Sequence, residues 1–467
     1  MKGEIILNYF LWICIYLIFL VIFSIFYSKK RVKSSEDFAV AGRSLPMIVL
    51  IGTLLATWCG GGGITGSANV VYSQGPYVGG LYFLGAPLGM IFLYFISGKV
   101  RISKSYTVPE LFDKMYGSTA GMIATICIFL AYVGIISSQF LAAGNIINLT
   151  TGISFKMATF ISMVVIIILT VTGGMISVAY TDALSAFLMA GGFLIALPFV
   201  YNKIGGLGFA LSNLPSGKDT IMGNLNFLQL LSLMLPTIFL VLGDQNLLQR
   251  FASAKNVKTA KNSNIGLVVA EIFVCTLIVL LATSGIFLFT DLEKPDTVIF
   301  QIAMKHMPFI LGAIVLMSCI AFVVTTADSY LLSSSSNITY DLWKKYLAKN
   351  KNDYETLKFF RITIVVVAFI AYVLGNYFPN ILAIQLYAYT MYGATITPAL
   401  LCGLFFKNTT KKSGAYGMIC GAVATLVWEL VLKKPLGLNS ALISVPIAFI
   451  VIIVVSLIDK NGQKVEI

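Results

Sequence analysis

The sequence predicts an all-α protein that crosses a membrane about thirteen times. Three observations carry that prediction. Of 467 residues, 58% are hydrophobic and only 11% charged, whereas a soluble domain carries about 25% charged residues. Apolar runs of roughly 20 residues, the length that crosses about 30 Å of hydrocarbon, recur along the whole chain. The basic residues behind the net charge of +13 lie between these runs, mostly on alternate sides. Backbone in lipid must satisfy its own polar groups, so long apolar runs of this kind are read as helices.

The thirteen runs are about 5–27, 45–72, 77–96, 120–149, 157–171, 183–201, 228–242, 265–289, 308–337, 362–374, 381–405, 415–432 and 441–457. An odd number puts the termini on opposite sides. Twenty-four of the 32 lysines and arginines then share one side, with the connections after runs one, three, seven, nine and eleven and with the C-terminus. The other side holds eight. This asymmetry predicts a multi-pass protein of the plasma (cytoplasmic) membrane, with the N-terminus outside and the C-terminus in the cytoplasm. The +13 is therefore an orientation signal, and no nucleic-acid partner is expected.

Other classes lack raw material. His306 is the only histidine, and no G-x-x-x-x-G-K-[ST] loop is present. The seven cysteines lie in apolar stretches without a C-x-x-C pair and read as small core residues. No basic segment precedes the first apolar run, so no cleavable leader is expected. Residues 107–116 and 249–258 are short amphipathic pieces, readable as interfacial helices or as solvated connectors.

Two runs read as interrupted helices. The second contains Ala56-Thr57-Trp58-Cys59 followed by Gly60 to Gly63. Each glycine costs about 1 kcal/mol against alanine in a helix, so the backbone is expected to unwind there. Unwound backbone survives at membrane depth only where it is buried in protein or lines a cavity. The seventh run carries Pro236, which removes one helical hydrogen bond. Runs two to six and seven to eleven would then form two five-helix units of opposite topology, each opening on an interrupted helix. That arrangement points to the binding site of a secondary transporter.

The ninth run is unusually polar. Thr325, Asp328 and Ser329 share one helical face, and hydroxyl and carboxylate oxygens suit a small hard cation. A carboxylate at membrane depth is a functional candidate by default. Ser333 to Ser336 read as side chains bonded back to their own helix. Asp182 stands at the start of the sixth run, where an N-cap is an equal reading. Glu271 and Glu429 have Lys261 and Lys433 nearby as structural partners.

With these residues in view, the chain resembles the sodium:solute symporter family over roughly residues 5–460. Four segments carry the resemblance: Gly42-Arg43-Ser44-Leu45; Gly173-Gly174-x-x-Ser177-Val178-x-x-Thr181-Asp182; Gln249-Arg250-Phe251; and Thr325-Thr326-Ala327-Asp328-Ser329 running on to Asp341-Leu342. The resemblance implies a leucine-transporter-like core of the amino-acid/polyamine/organocation superfamily, with two inverted five-helix repeats. It implies a first sodium site formed by the carbonyls of Ala56, Cys59 and Phe322 and the hydroxyls of Thr325 and Thr326. Phe322 departs from the small residue usual there. A second sodium site, present in some members, maps onto Asp182, Thr325, Asp328 and Ser329. The solute pocket maps onto Trp58, Gly60 and Gly61, faced by Gln139, Phe140, Thr237, Gln385 and Tyr389.

The chain is thus expected to divide into a helix and basic loop (1–44), a first repeat (45–201), an extracellular loop (202–223), a second repeat (224–405), and two final helices with a short tail (406–467). Its expected function is sodium-coupled symport of a small organic solute, such as an amino acid or carboxylate, by alternating access. Its partners are the solute, one or two sodium ions and the bilayer; the oligomeric state stays open. The segment Ala56 to Gly62 is also similar to the choline-transporter branch, but aligned cage positions fall near Met90, Ile135 and Asp244, which argues against choline. A proton-coupled or uncoupled carrier, or a sensor of the same fold acting with a separate partner, remain alternatives. An embedded enzyme finds no acid–base or metal cluster to work with.

Overall fold

The computed structural model describes residues 2–31, 35–103, 105, 107–378, 380–459 and 462–465, and these are nearly all helical. Among the described residues ten helices are long and apolar enough to cross a membrane. The broken pair Met47–Trp58 and Gly62–Gln74, bent by 59°, is an eleventh crossing. The 49 residues of Phe155–Lys203 would reach about 70 Å as one helix, over twice the hydrocarbon thickness. Gly174 (φ 69°, ψ 170°) breaks that run into spans five and six. A Cβ at Gly174 would be 2.6 Å from the Phe38 ring, so both the backbone angle and the close approach require glycine. With Ile381–Phe405, 25 residues long, the count reaches thirteen, as the hydropathy pattern predicts.

The remaining spans are Lys2–Arg31 (one), Pro76–Ser103 (three), Ser118–Thr151 (four), Phe227–Gly243 with Gln245–Ala252 (seven), Val257–Leu288 (eight) and Phe309–Ser336 (nine). Then follow Asp353–Gly375 (ten), Lys411–Leu426 (twelve) and Ala441–Ile458 (thirteen). Span nine runs on into an eleven-residue π-helical segment, Asn337–Leu347. Sequence-level caps define several starts: Asn226 with Gln229 and Asn352 with Glu355 form reciprocal capping boxes.

Burial sorts the spans into layers. Span one exposes Leu11, Ile15, Ile18, Ile22 and Phe26 on one face, as a lipid-facing helix must, and buries Tyr9, Ile13, Leu17 and Leu20. Span nine is the opposite case, with 78% of its most apolar window buried, so it forms the axis of the bundle. The basic connections meet at one end. Arg43 Nη1 bonds the Ala252 carbonyl (3.2 Å), Arg101 Nε bonds that of Ala254 (2.8 Å), and Lys345 pairs with Asp113 (2.8 Å).

Several expectations are corrected. Span seven continues through Pro236 and breaks instead at Asp244 (φ −59°, ψ 116°), because lost proline bonds are tolerated while a residue in extended geometry is not helical. Residues 249–258 are not an interfacial helix: Gln245–Ala252 is fully buried, and the next helix starts at Val257. Val108–Tyr116 is a helix, capped by Thr107. Asp182 is not an N-cap; it lies two turns beyond Gly174 and is fully buried. Glu271 does not pair with Lys261, whose ammonium lies 5.5 Å over the Tyr94 ring nearly three turns away. Glu429 pairs with Lys434 (2.8 Å) rather than Lys433.

Candidate functional site

The site is built around the break in span two. Cys59 (φ −84°, ψ 47°) leaves the helix, and the Gly60 amide turns back onto the Trp58 carbonyl at 3.0 Å. Helix resumes as a π-helical turn at Gly62–Gly66, so the irregular stretch is shorter than the four glycines. Glycine here also lets neighbours approach. A Cβ at Gly60 would meet Thr326 Oγ1 at 2.4 Å, and one at Gly62 would meet Gln385 at 2.2 Å. The Gly61 amide donates to Gln139 Oε1 at 2.6 Å. Unwinding and close packing occur together here.

Span nine lies against this break. Thr326 Oγ1 donates to the Ala56 carbonyl at 2.7 Å, and Thr325 Oγ1 to that of Phe322 at 3.3 Å. Of the expected first sodium set, Thr326 thus meets Ala56 across the two spans, Thr325 bonds within its own helix, and Cys59 follows the last turn before the break. The Phe322 side chain is fully buried, so its bulk is absorbed by the bundle core.

A narrow, partly open cavity of about 20 Å³ lies beside the break, with Trp58, Thr237, Gln385 and Tyr389 in its wall. Trp58 and Tyr389 stack with centroids 5.9 Å apart, and Tyr82 and Phe83 complete an aromatic lining. Those last two were not legible, because pocket walls from different spans have no shared sequence register. Ser67 Oγ and Gln385 Oε1 make no hydrogen bond within the protein. Gln139 braces the Gly61 amide and Phe140 is packed in the core; neither borders this cavity.

Below the first set lies a polar cluster that the sequence only half reveals. Arg250 is fully buried. Its Nη2 lies 3.1 Å from Asp182 Oδ2 and 2.6 Å from Ser329 Oγ, and its Nε donates to Thr53 Oγ1 at 2.8 Å. Thr53 in turn donates to Asp182 at 2.5 Å. Asp182 and Ser329 are thus brought together, but on a guanidinium. Asp328 faces Thr170 on span five. A sequence signal for Arg250 did exist: Gln245, Asn246, Gln249 and Arg250 share one polar face of the helix Gln245–Ala252.

The sequence pattern of the "Sodium:solute symporter family" matches residues 38–421. The chain belongs to the sodium:solute symporter family. Among the relatives of this symporter, the sodium/proline symporter of Escherichia coli is 26% identical over 439 residues, spanning 89% of this chain and 86% of that one. The osmoregulated proline transporter OpuE of Bacillus subtilis is 23% identical, spanning 94% and 92%. Human high affinity choline transporter 1 is 26% identical, spanning 87% and 73%. A solved Na⁺-coupled sialic acid symporter in a substrate-bound outward-open state superposes with a TM-score of 0.81 at 16% identity, over 98% of this chain and 99% of that one. The fold is therefore that of the leucine-transporter-like carriers, and the relatives are carriers rather than enzymes. As a family member the protein couples movement of a small organic solute to sodium.

Proposed function

We propose that sodium binds between the carbonyls of Ala56, Cys59 and Phe322 and the hydroxyls of Thr325 and Thr326, and that the solute binds in the aromatic cavity next to it. The observation that carries this reading is the Thr326–Ala56 hydrogen bond, which ties the broken helix to span nine. A sodium ion there replaces a single hydroxyl contact with several oxygen contacts and stiffens the break. Its entry down a membrane potential releases about 2.3 kcal/mol per 100 mV. Binding then shifts the population from outward-open to occluded and inward states.

The cavity supports a solute that donates hydrogen bonds and carries a compact, ammonium-like nitrogen. Four aromatic side chains wall it, and aromatic faces attract cations. Gln385 Oε1 is a pure acceptor awaiting a donor. No lysine or arginine lines the cavity to hold a carboxylate, and the Gly60 and Gly61 amides are already engaged. An amino acid or small amine satisfies these requirements better than a dicarboxylate.

Arg250 favours one sodium rather than two. A guanidinium on Asp182 and Ser329 supplies the positive charge that a second sodium would bring. Asp328 then stays as a buried acid beside this pair. The two repeats at 45–201 and 224–405 are supported by the helix breaks at Cys59 and Asp244, each in the first span of its unit. The gathering of Arg43, Arg101 and Lys345 at one end supports a cytoplasmic assignment for that end and for the C-terminus.

The test is uptake into proteoliposomes of a solute panel of amino acids, quaternary amines and carboxylates, with and without an inward sodium gradient. Accumulation of an ammonium solute that follows the sodium gradient is the expected result. Uptake indifferent to sodium, or driven only by a pH gradient, would sink the coupling.

A further inference from the structure

We propose that the basic end of span ten carries a binding site for one anionic phospholipid, whose phosphate sits on Lys358 and Arg361 and whose acyl chain lies in the recess between spans ten and five. The site is separate from the solute cavity and the sodium ligands, and it does not depend on their assignment.

The chain places these two cations at a boundary. Span ten begins at Asp353, so Lys358 and Arg361 lie about 8 and 12 Å along it. The apolar run starts at the next residue, Ile362. Beyond it Ile362, Val365, Val366 and Phe369 are exposed, as side chains against lipid tails are. Lys358 and Arg361 are exposed too, one turn apart, where the helix passes from headgroups into hydrocarbon.

The neighbouring span turns this helix face into a recess. Tyr354, Lys358, Arg361, Ile362 and Val365 of span ten face Val171 of span five around about 370 Å³. Small-molecule sites hold about 300–1,000 Å³. Both walls are anchored. Ser28 of span one donates to the Thr172 carbonyl at 2.9 Å, beside Val171. Trp343 stacks on Phe359 at 4.3 Å, and Tyr340 meets Phe360 edge-on at 5.9 Å, which fixes span ten against the π-helical end of span nine.

The charge at this recess is available. The acids that open span ten are engaged elsewhere: Glu355 takes Lys351 at 2.6 Å, and Asp353 lies 3.9 Å from Lys344. Other cations at this end are engaged as well, Lys345 on Asp113 and Arg43 and Arg101 on backbone carbonyls. Among the described residues Lys358 and Arg361 have neither an ion pair nor a side-chain hydrogen bond, and no carboxylate borders the recess.

A rim of two free cations over an apolar floor fits a molecule with a phosphate at one end and hydrocarbon at the other. A guanidinium grips two phosphate oxygens at once, and an ammonium adds a point charge. Basic pockets between spans hold anionic headgroups in this way. A free phosphate would use the rim and leave Val171, Ile362 and Val365 without a partner.

The test uses the full-length protein in detergent, with phosphatidylglycerol and phosphatidylcholine of identical chains as probes. Native mass spectrometry counts the bound lipid, and the melting temperature reads its effect. One phosphatidylglycerol should stay bound where phosphatidylcholine is lost. Lys358→Gln/Arg361→Gln should weaken that binding roughly thirtyfold, since each cation contributes about a factor of five. Lys255→Gln/Lys258→Gln removes the same charge from exposed positions on another connection, and should change binding by less than about twofold. Val171→Phe keeps both cations but fills the floor, and should also weaken binding. Equal losses in the two charge pairs would reduce the effect to the general charge of this end and overturn the site. Equal retention of the two lipids would remove the role of the cations. Parental binding in Val171→Phe would take the acyl chain out of the recess. A melting temperature raised as much by inorganic phosphate as by phosphatidylglycerol would make this a free-anion site and overturn the lipid.

Discussion

The two broken helices make the most useful comparison in the molecule. Span two breaks on glycines and neutral side chains, and it leaves oxygens short of partners: Ser67 Oγ and Gln385 Oε1 beside it make no hydrogen bond. Span seven breaks on a buried acid whose needs are met. Asp244 Oδ1 accepts from Tyr132 at 2.5 Å and from the Asn246 amide at 3.2 Å, and its Oδ2 accepts from Tyr330 at 2.9 Å. Tyr392 spans the same gap, donating to the Gly243 carbonyl at 2.8 Å and accepting from the Gln245 amide at 3.0 Å. The three rings pack together, Tyr132 stacked on Tyr392 and edge-on to Tyr330. A break with unmet oxygens is a place for ligands. A break whose acid and flanking backbone are satisfied by the protein is a joint.

That contrast can be broken first at the joint. Asp244→Ala leaves two tyrosine hydroxyls and an amide without their acceptor, and should cost about 3–5 kcal/mol. Thermal unfolding in detergent reads it; a variant as stable as the parent would mean that the tyrosines do not brace the break. Next comes the packing of the ligand break. Gly62→Ala drives a Cβ to 2.2 Å from Gln385, while Gly63→Ala meets only the Cys59 sulfur at an ordinary 3.4 Å. Overpacking of the first kind costs about 1–3 kcal/mol, so solute uptake should fall at least tenfold in Gly62→Ala and little in Gly63→Ala. Equal uptake by the two variants would remove Gln385 from the solute cavity.

A smaller effect is expected at the sodium ligands. Thr326→Ala should raise the sodium concentration for half-maximal uptake about tenfold, or about 1.4 kcal/mol, with melting temperature nearly kept. Thr325→Ala should act in the same direction. Wild-type sodium dependence in both would place the ion elsewhere. The smallest effect returns to the joint: Tyr330→Phe removes one of three donors to Asp244 and should cost about 1 kcal/mol of stability. If it instead abolished sodium dependence with the fold intact, the division between ligand break and joint would fail.

How much of this was legible follows from what each signal measures. Hydropathy reports a one-dimensional transfer cost, so the thirteen crossings came through, including the two that meet at Gly174. The glycine run marked the break in span two because glycine's helix penalty is local. Pro236 misled because a proline's lost bond is also local, yet its neighbours keep the helix, while Asp244 breaks it for reasons that lie in Tyr132, Tyr330 and Tyr392 on three other spans. Arg250 was counted with the loop cations because its charge looks the same buried or solvated; only Asp182, 68 positions away, makes it a core residue.

Composition, run length and the distribution of lysine and arginine by themselves determined a polytopic α-helical membrane protein, and the short motifs added the resemblance to a carrier family, since each depends on residues near one another in the chain. The tertiary structure alone decided which polar groups meet. It placed Thr326 on Ala56 across 270 positions, gathered Trp58, Tyr82 and Tyr389 into one wall, and left the serines of span nine unpartnered. Hydrogen bonds and cavities are short-ranged in space, and nothing in the order of residues records which helices come within 3 Å of each other.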